Sequence, residues 1–408
     1  MLELTRLLYA RDEVEASLML SLLKRKPVEE CLFWINELIW SGYEVRTLLW
    51  SIYYDFYAQY NPLFEKKIKK QFDKFHDGDI NALFIVVKSI RLLKSSDNVF
   101  SLRMSKLPNA LTIYRGRTPK WLLAYDKECR PFVRAAVSLN WHQLILVWSN
   151  KNLSPIRMIE IFIRGLGEGK HLLQTEEANY KFVEPLWNQN LSTFMDESQR
   201  VLAIMLSLMT PDSELDLDGK MIALNQKENE YISWLYEPIP NNASGQKQTY
   251  DMLLYKRHFK IDEDIGAFKL ERFEVDNYKT TVINKWFHFV ATSPYWQNVF
   301  NKYQVNLSSN GELDFQDDAD DKRLEAFSND YGYVFELDDP RQKWAMEQGW
   351  VHVNSDLDIV DLMDRIFSNA EDLRMEFGDL SIDISKKSYE KRREVFTFEK
   401  LKMILDTI

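Results

Sequence analysis

The chain's patterning predicts a mainly α-helical protein, and three observations carry that reading. Apolar residues recur at helical spacing through the N-terminal half. Glycine (13) and proline (12) are scarce in 408 residues, roughly 3% each where about 7% and 5% are usual. Finally, no series of short Val/Ile runs alternates with helices, so a doubly wound sheet is not expected.

The clearest element lies at 28–60. Cys31, Trp34, Ile35, Leu38 and Ile39 fall at i, i+3, i+4, i+7 and i+8, which lines them along one helical face. Gly42 then stops the helix, as a residue able to take positive φ does at a helix end. Val45, Leu48, Leu49, Ile52, Tyr53, Phe56 and Tyr60 repeat the pattern, so a helical hairpin is expected here. Around it, helices are expected at Val14–Leu23, at Leu63–Phe75, which is charged on one side, and at Ile80–Leu93. Further helices are expected at Trp141–Trp148, Ile156–Leu166, Phe194–Met209 and Met221–Tyr236. Several segments open on a hydroxyl followed by proline: Thr118-Pro119, Ser154-Pro155, Thr210-Pro211 and Ser293-Pro294. Proline is pre-organised at the first helical position, and the hydroxyl can satisfy a free N–H.

The hairpins of 11–94 recur at roughly 30 to 40 residues, the range of helical repeat units, yet no tetratricopeptide or ankyrin consensus is present. The expected architecture is stacked helical hairpins, either HEAT-like or an irregular α-α array. Turn-formers at Glu237-Pro238-Ile239-Pro240-Asn241-Asn242 mark a linker. A second break runs from Leu307 to Asp321, and beyond it 333–337, 350–353 and 380–384 read as short strands. The expected division is a helical array at 1–236, a linker at 237–250 and a helical segment at 251–306. An acidic linker at 307–330 and a small mixed α+β domain at 331–408 complete it.

Hydrophobic residues (45%) and aromatics (13%) exclude disorder over most of the length. Cys31 and Cys129, the two cysteines, supply neither a disulfide framework nor a four-ligand zinc site. The first residues lack a basic region followed by an apolar stretch, and no run of 18 apolar residues exists. A soluble protein of a reducing compartment, with no membrane partner, is the expectation.

Three N-terminal segments carry a resemblance: Leu7-Leu8-Tyr9-Ala10-Arg11-Asp12-Glu13-Val14-Glu15, Glu30-Cys31-Leu32-Phe33-Trp34-Ile35-Asn36-Glu37-Leu38 and Leu49-Trp50-Ser51-Ile52-Tyr53-Tyr54-Asp55-Phe56-Tyr57. With Ser95-Ser96-Asp97-Asn98-Val99-Phe100-Ser101-Leu102-Arg103, they resemble the start of an uncharacterised protein family of giant nucleocytoplasmic DNA viruses. The resemblance spans roughly the first 105 residues and implies a virus whose replication centres on a cytoplasmic factory. It implies no activity and transfers no functional residue.

Catalytic signatures are missing. Gly165-Leu166-Gly167-Glu168-Gly169-Lys170 imitates a phosphate-binding loop, but Arg164 and His171 stand where a Walker loop needs glycine and a hydroxyl. Glu214, Asp216, Asp218 and Gly219 imitate half a calcium loop, but Asn225 stands where the bidentate glutamate belongs. An acidic cap for a helix starting near Met221 is the better reading. Histidines 76, 142, 171, 258, 288 and 352 form no ligand-like pair, and no nucleophile elbow, zincin or kinase motif occurs. The expectation is a non-enzyme with no cofactor and no metal.

Charge is more informative. The chain carries a net −10, but 88–134 holds eleven basic residues against three acidic ones. From 312 to 339 eleven acidic residues face two basic ones. A basic stretch on an acidic protein attracts phosphates or an acidic surface. Arg103, Lys106, Tyr114, Arg115, Arg117 and Lys120 are therefore the candidate site for nucleic acid or an acidic partner, Tyr114 beside two arginines suiting RNA. The function expected first is a helical scaffold or adaptor binding other proteins in a viral cytoplasmic replication or gene-expression complex. A nucleic-acid-associated factor acting through 88–134 is second, and a virion structural component third.

Overall fold

The computed structural model describes residues 3–100, 197–210, 214–236, 257–268, 270, 286–308, 313–315, 320–331 and 359–367. Of this described part 65% is helical, so the protein is mainly α. The chain divides into two compact units, 1–48 with 222–362 and 49–221 with 363–408. The expected helices at 141–148 and 156–166 and the expected strands at 333–337, 350–353 and 380–384 lie outside the described residues.

In the first unit α1 (Arg11–Leu23) packs on α2 (Val28–Trp40) across a four-residue connection. The division between units falls inside α3 (Arg46–Phe56). Among the described residues α2 packs against α1 and, from far along the chain, against Gln226–Tyr236 (α7). The buried faces of α1 and α2 hold Val14, Leu18, Leu22, Leu32, Ile35 and Leu38. Tyr9, Phe33, Trp34 and Phe259 form an aromatic cluster with ring centroids 4.9–6.5 Å apart; Tyr9, Phe33 and Trp34 meet edge to face, as ring quadrupoles favour, and Phe259 is tilted against Phe33 and Trp34.

Both ends of this helix pair turn on positive φ. At the end of α2, Tyr43 N–H donates to Leu38 O and Gly42 N–H to Ile39 O, a Schellman cap with Gly42 at φ +82°. A Cβ on Gly42 would lie 2.7 Å from Pro294 Cβ. Gly42→Ala therefore combines left-handed strain with a steric clash, and about 2–4 kcal/mol of destabilisation is expected in urea unfolding. The end of α1 uses the same pair of bonds, Lys26 N–H to Ser21 O and Arg25 N–H to Leu22 O. There the left-handed residue is Arg25, at φ 50°. Relief of its Cβ strain makes Arg25→Gly stabilising by up to about 1 kcal/mol, readable as a raised unfolding midpoint.

The C-terminal part of this unit contains Trp286–Val290 (α8) and Pro294–Tyr303 (α9), the latter with proline in its first turn as expected. The Ser293 hydroxyl, however, makes no cap bond. The stretch read as an acidic linker holds structure. Val305–Leu307 (β1) and Leu313–Phe315 (β2) pair antiparallel, Asn306 opposite Asp314, and Asp320–Tyr331 (α10) follows. Phe300, Tyr303, Phe315, Phe327 and Tyr331 cluster over α9, so apolar and aromatic residues set among the acidic ones fold this stretch.

In the second unit Phe64–His76 (α4) packs on Asn81–Ile90 (α5), with Glu197–Met209 (α6) beside them in the same unit. Trp50 of α3 stacks on Tyr54 at 5.4 Å and meets Phe72 of α4 at 5.3 Å. The corner at 56–61 gathers long-range bonds. Ser96 N–H donates to Phe56 O at 2.7 Å and Asp216 N–H to Tyr60 O at 2.7 Å. Asn61 Nδ2 donates to Lys94 O, and Gln59 Oε1 accepts from Ser96 Oγ and Asn98 Nδ2. Ile359–Phe367 (α11) is the last described helix.

Candidate functional site

The residues singled out by charge, Arg103, Lys106, Tyr114, Arg115, Arg117 and Lys120, lie outside the described residues, as do the 165–170 loop and Cys129. Among the described residues, polar chemistry is concentrated in two buried networks and one exposed helix face.

The first network surrounds the loop at 3–10. Leu4 and Ala10 form an antiparallel bridge, Thr5 N–H donates to Tyr9 O, and Leu8 turns the chain at φ 57°. The buried backbone groups of this tight loop need partners, and distant residues supply them. Glu37 Oε1 accepts from Leu7 N–H at 2.7 Å, and Ser41 Oγ accepts from Arg6 N–H at 2.8 Å. Arg257 Nε donates to Leu7 O at 2.7 Å, Trp296 Nε1 donates to Thr5 O, and Leu4 N–H donates to Phe289 O. The Tyr9 hydroxyl donates to Phe259 O at 2.7 Å, and Arg257 lies over the Tyr9 ring at 4.1 Å.

Four ionisable side chains, Arg6, Glu13, Glu37 and Arg257, are thus buried in one neighbourhood. Burial raises the pKa of Glu37 and outweighs Arg6, whose guanidinium lies 3.4 Å from Oε2. Burial likewise pulls the Arg257 pKa down against Tyr9, Glu37 and Glu13. At the surface, Asp262 receives Lys24 and Lys26 at 2.7 and 2.8 Å. Although burial opposes its charge, the lysines hold its pKa below the usual carboxylate range.

The second network joins α4 to α6. Arg200 Nη2 donates to Glu65 Oε1 at 2.6 Å, with side chains only 3% and 5% exposed. Burial disfavours the Arg200 charge, yet Glu65 and then Tyr54 outweigh it and keep the group's pKa up. Gln199 Nε2 reaches Asp55 Oδ2 and Ser51 Oγ from the same helix.

The half calcium loop is occupied by the protein itself. Lys67 Nζ donates to Gly219 O, Lys94 Nζ lies 3.7 Å from Glu214 Oε2, and Asp216 Oδ1 accepts from Asp218 N–H. No group of three or more metal-type side chains occurs among the described residues. Nor do these acids cap a helix at Met221. Helix α7 begins at Gln226, where Asn225 Oδ1 accepts from Glu228 N–H and Glu228 Oε2 from Asn225 N–H, a reciprocal capping box.

The exposed feature is the outer face of α4. Phe64, Ile68 and Phe72 are buried, which turns Lys66, Lys70 and Lys74 outward as exposed residues at i, i+4 and i+8. Lys67 and Lys69, half-buried, flank them. Missing this ridge was a matter of weighting, since its one-sided charge is visible in the sequence. Among the described residues the exposed large hydrophobics are Leu92 and Leu324. Among the described residues no helix is long and apolar enough to cross a membrane.

Comparison with protein-family models, with curated proteins and with solved structures gives no match.

Proposed function

We propose that the protein is a non-enzymatic helical scaffold that binds other proteins within a viral cytoplasmic replication or gene-expression complex. The observation that carries this reading is the use made of buried ionisable groups. Glu37, Arg257, Glu65 and Arg200 each tie together segments remote in sequence. A frame fixed in this way holds its outward faces in set positions for partners, as helical arrays do. The viral setting rests on the resemblance of the first 105 residues.

The test is capture of the tagged full chain from virus-infected cells, with and without nuclease, followed by identification of what is retained. A small set of viral or host proteins that survives nuclease supports the scaffold. Retention of no protein above the untagged control overturns it.

A further inference from the structure

We draw no further inference here: the strongest candidate, the surface patch of exposed Lys66, Lys70 and Lys74 on the outer face of α4, carries nothing because exposed Asp73, Asp77 and Asp79 stand around it and nothing in the structure shows what covers it.

Discussion

Glu37→Ala is expected to destabilise the first unit by about 3–5 kcal/mol, the range seen when one partner of a buried charge network is removed. The substitution deprives four groups of a partner at once: Leu7 N–H loses its acceptor at 2.7 Å, the Thr5 hydroxyl loses the carboxylate it bonds, and Arg6 and Arg257 lose a carboxylate that offsets their burial. Urea unfolding measures the loss, and amide hydrogen exchange locates it. Protection at residues 4–9 should fall first, because their N–H groups are held through Glu37, Ser41 and Phe289. Glu37→Gln keeps an oxygen for Leu7 and should cost less. A loss below about 1 kcal/mol for Glu37→Ala would show that the network contributes no net stability.

The same residue sets a pH dependence. Burial raises the Glu37 pKa in the folded state, so the folded chain holds this proton over a range in which the unfolded chain has released it. The stability contributed is full below the ordinary glutamate value and is lost as pH rises through the raised one. Asp262 runs the other way. Its pKa is lowered by Lys24 and Lys26, so its contribution is full above the ordinary aspartate value and is lost as pH falls through the lowered one. Glu37→Gln should therefore remove a decline that sets in as pH rises above the ordinary glutamate value, and Asp262→Asn one that sets in as pH falls below the ordinary aspartate value.

These residues mark where reading the sequence succeeds and where it stops. Gly42 is recognisable as a helix stop because the need for positive φ is local and glycine meets it. The helix containing Cys31, Trp34 and Leu38 is recognisable because its period is local too. Glu37 lies on the same helix and reads as an ordinary polar position, although it is buried. Its partners stand 30 residues upstream and, in Arg257, more than 200 downstream, and no periodicity encodes such a meeting. The start of α7 was available as Asn225 with Glu228 three residues on, but the acidic run at 214–218 drew the expected boundary back to Met221. The stretch at 307–330 read as linker because its charges outnumber its apolar residues. Phe315, Phe327 and Tyr331 nevertheless supply enough ring contact to fold it.

Breaking the Glu65–Arg200 pair from one side is expected to be far more harmful than removing both partners. Arg200→Met leaves the Glu65 side chain 5% exposed and without its 2.6 Å partner, and Glu65→Gln leaves Arg200 buried with its main compensating charge gone. Each single change should destabilise the second unit by about 3–5 kcal/mol, because an isolated buried charge must be solvated, neutralised or expelled. The double variant Glu65→Leu/Arg200→Met places apolar groups of similar length beside Tyr53 and Tyr54. Its cost should be within about 1 kcal/mol of zero, so a double-mutant cycle in urea unfolding should return a coupling of several kcal/mol. Such an outcome would assign the pair a role in specifying how α4 meets α6 rather than in raising stability as such.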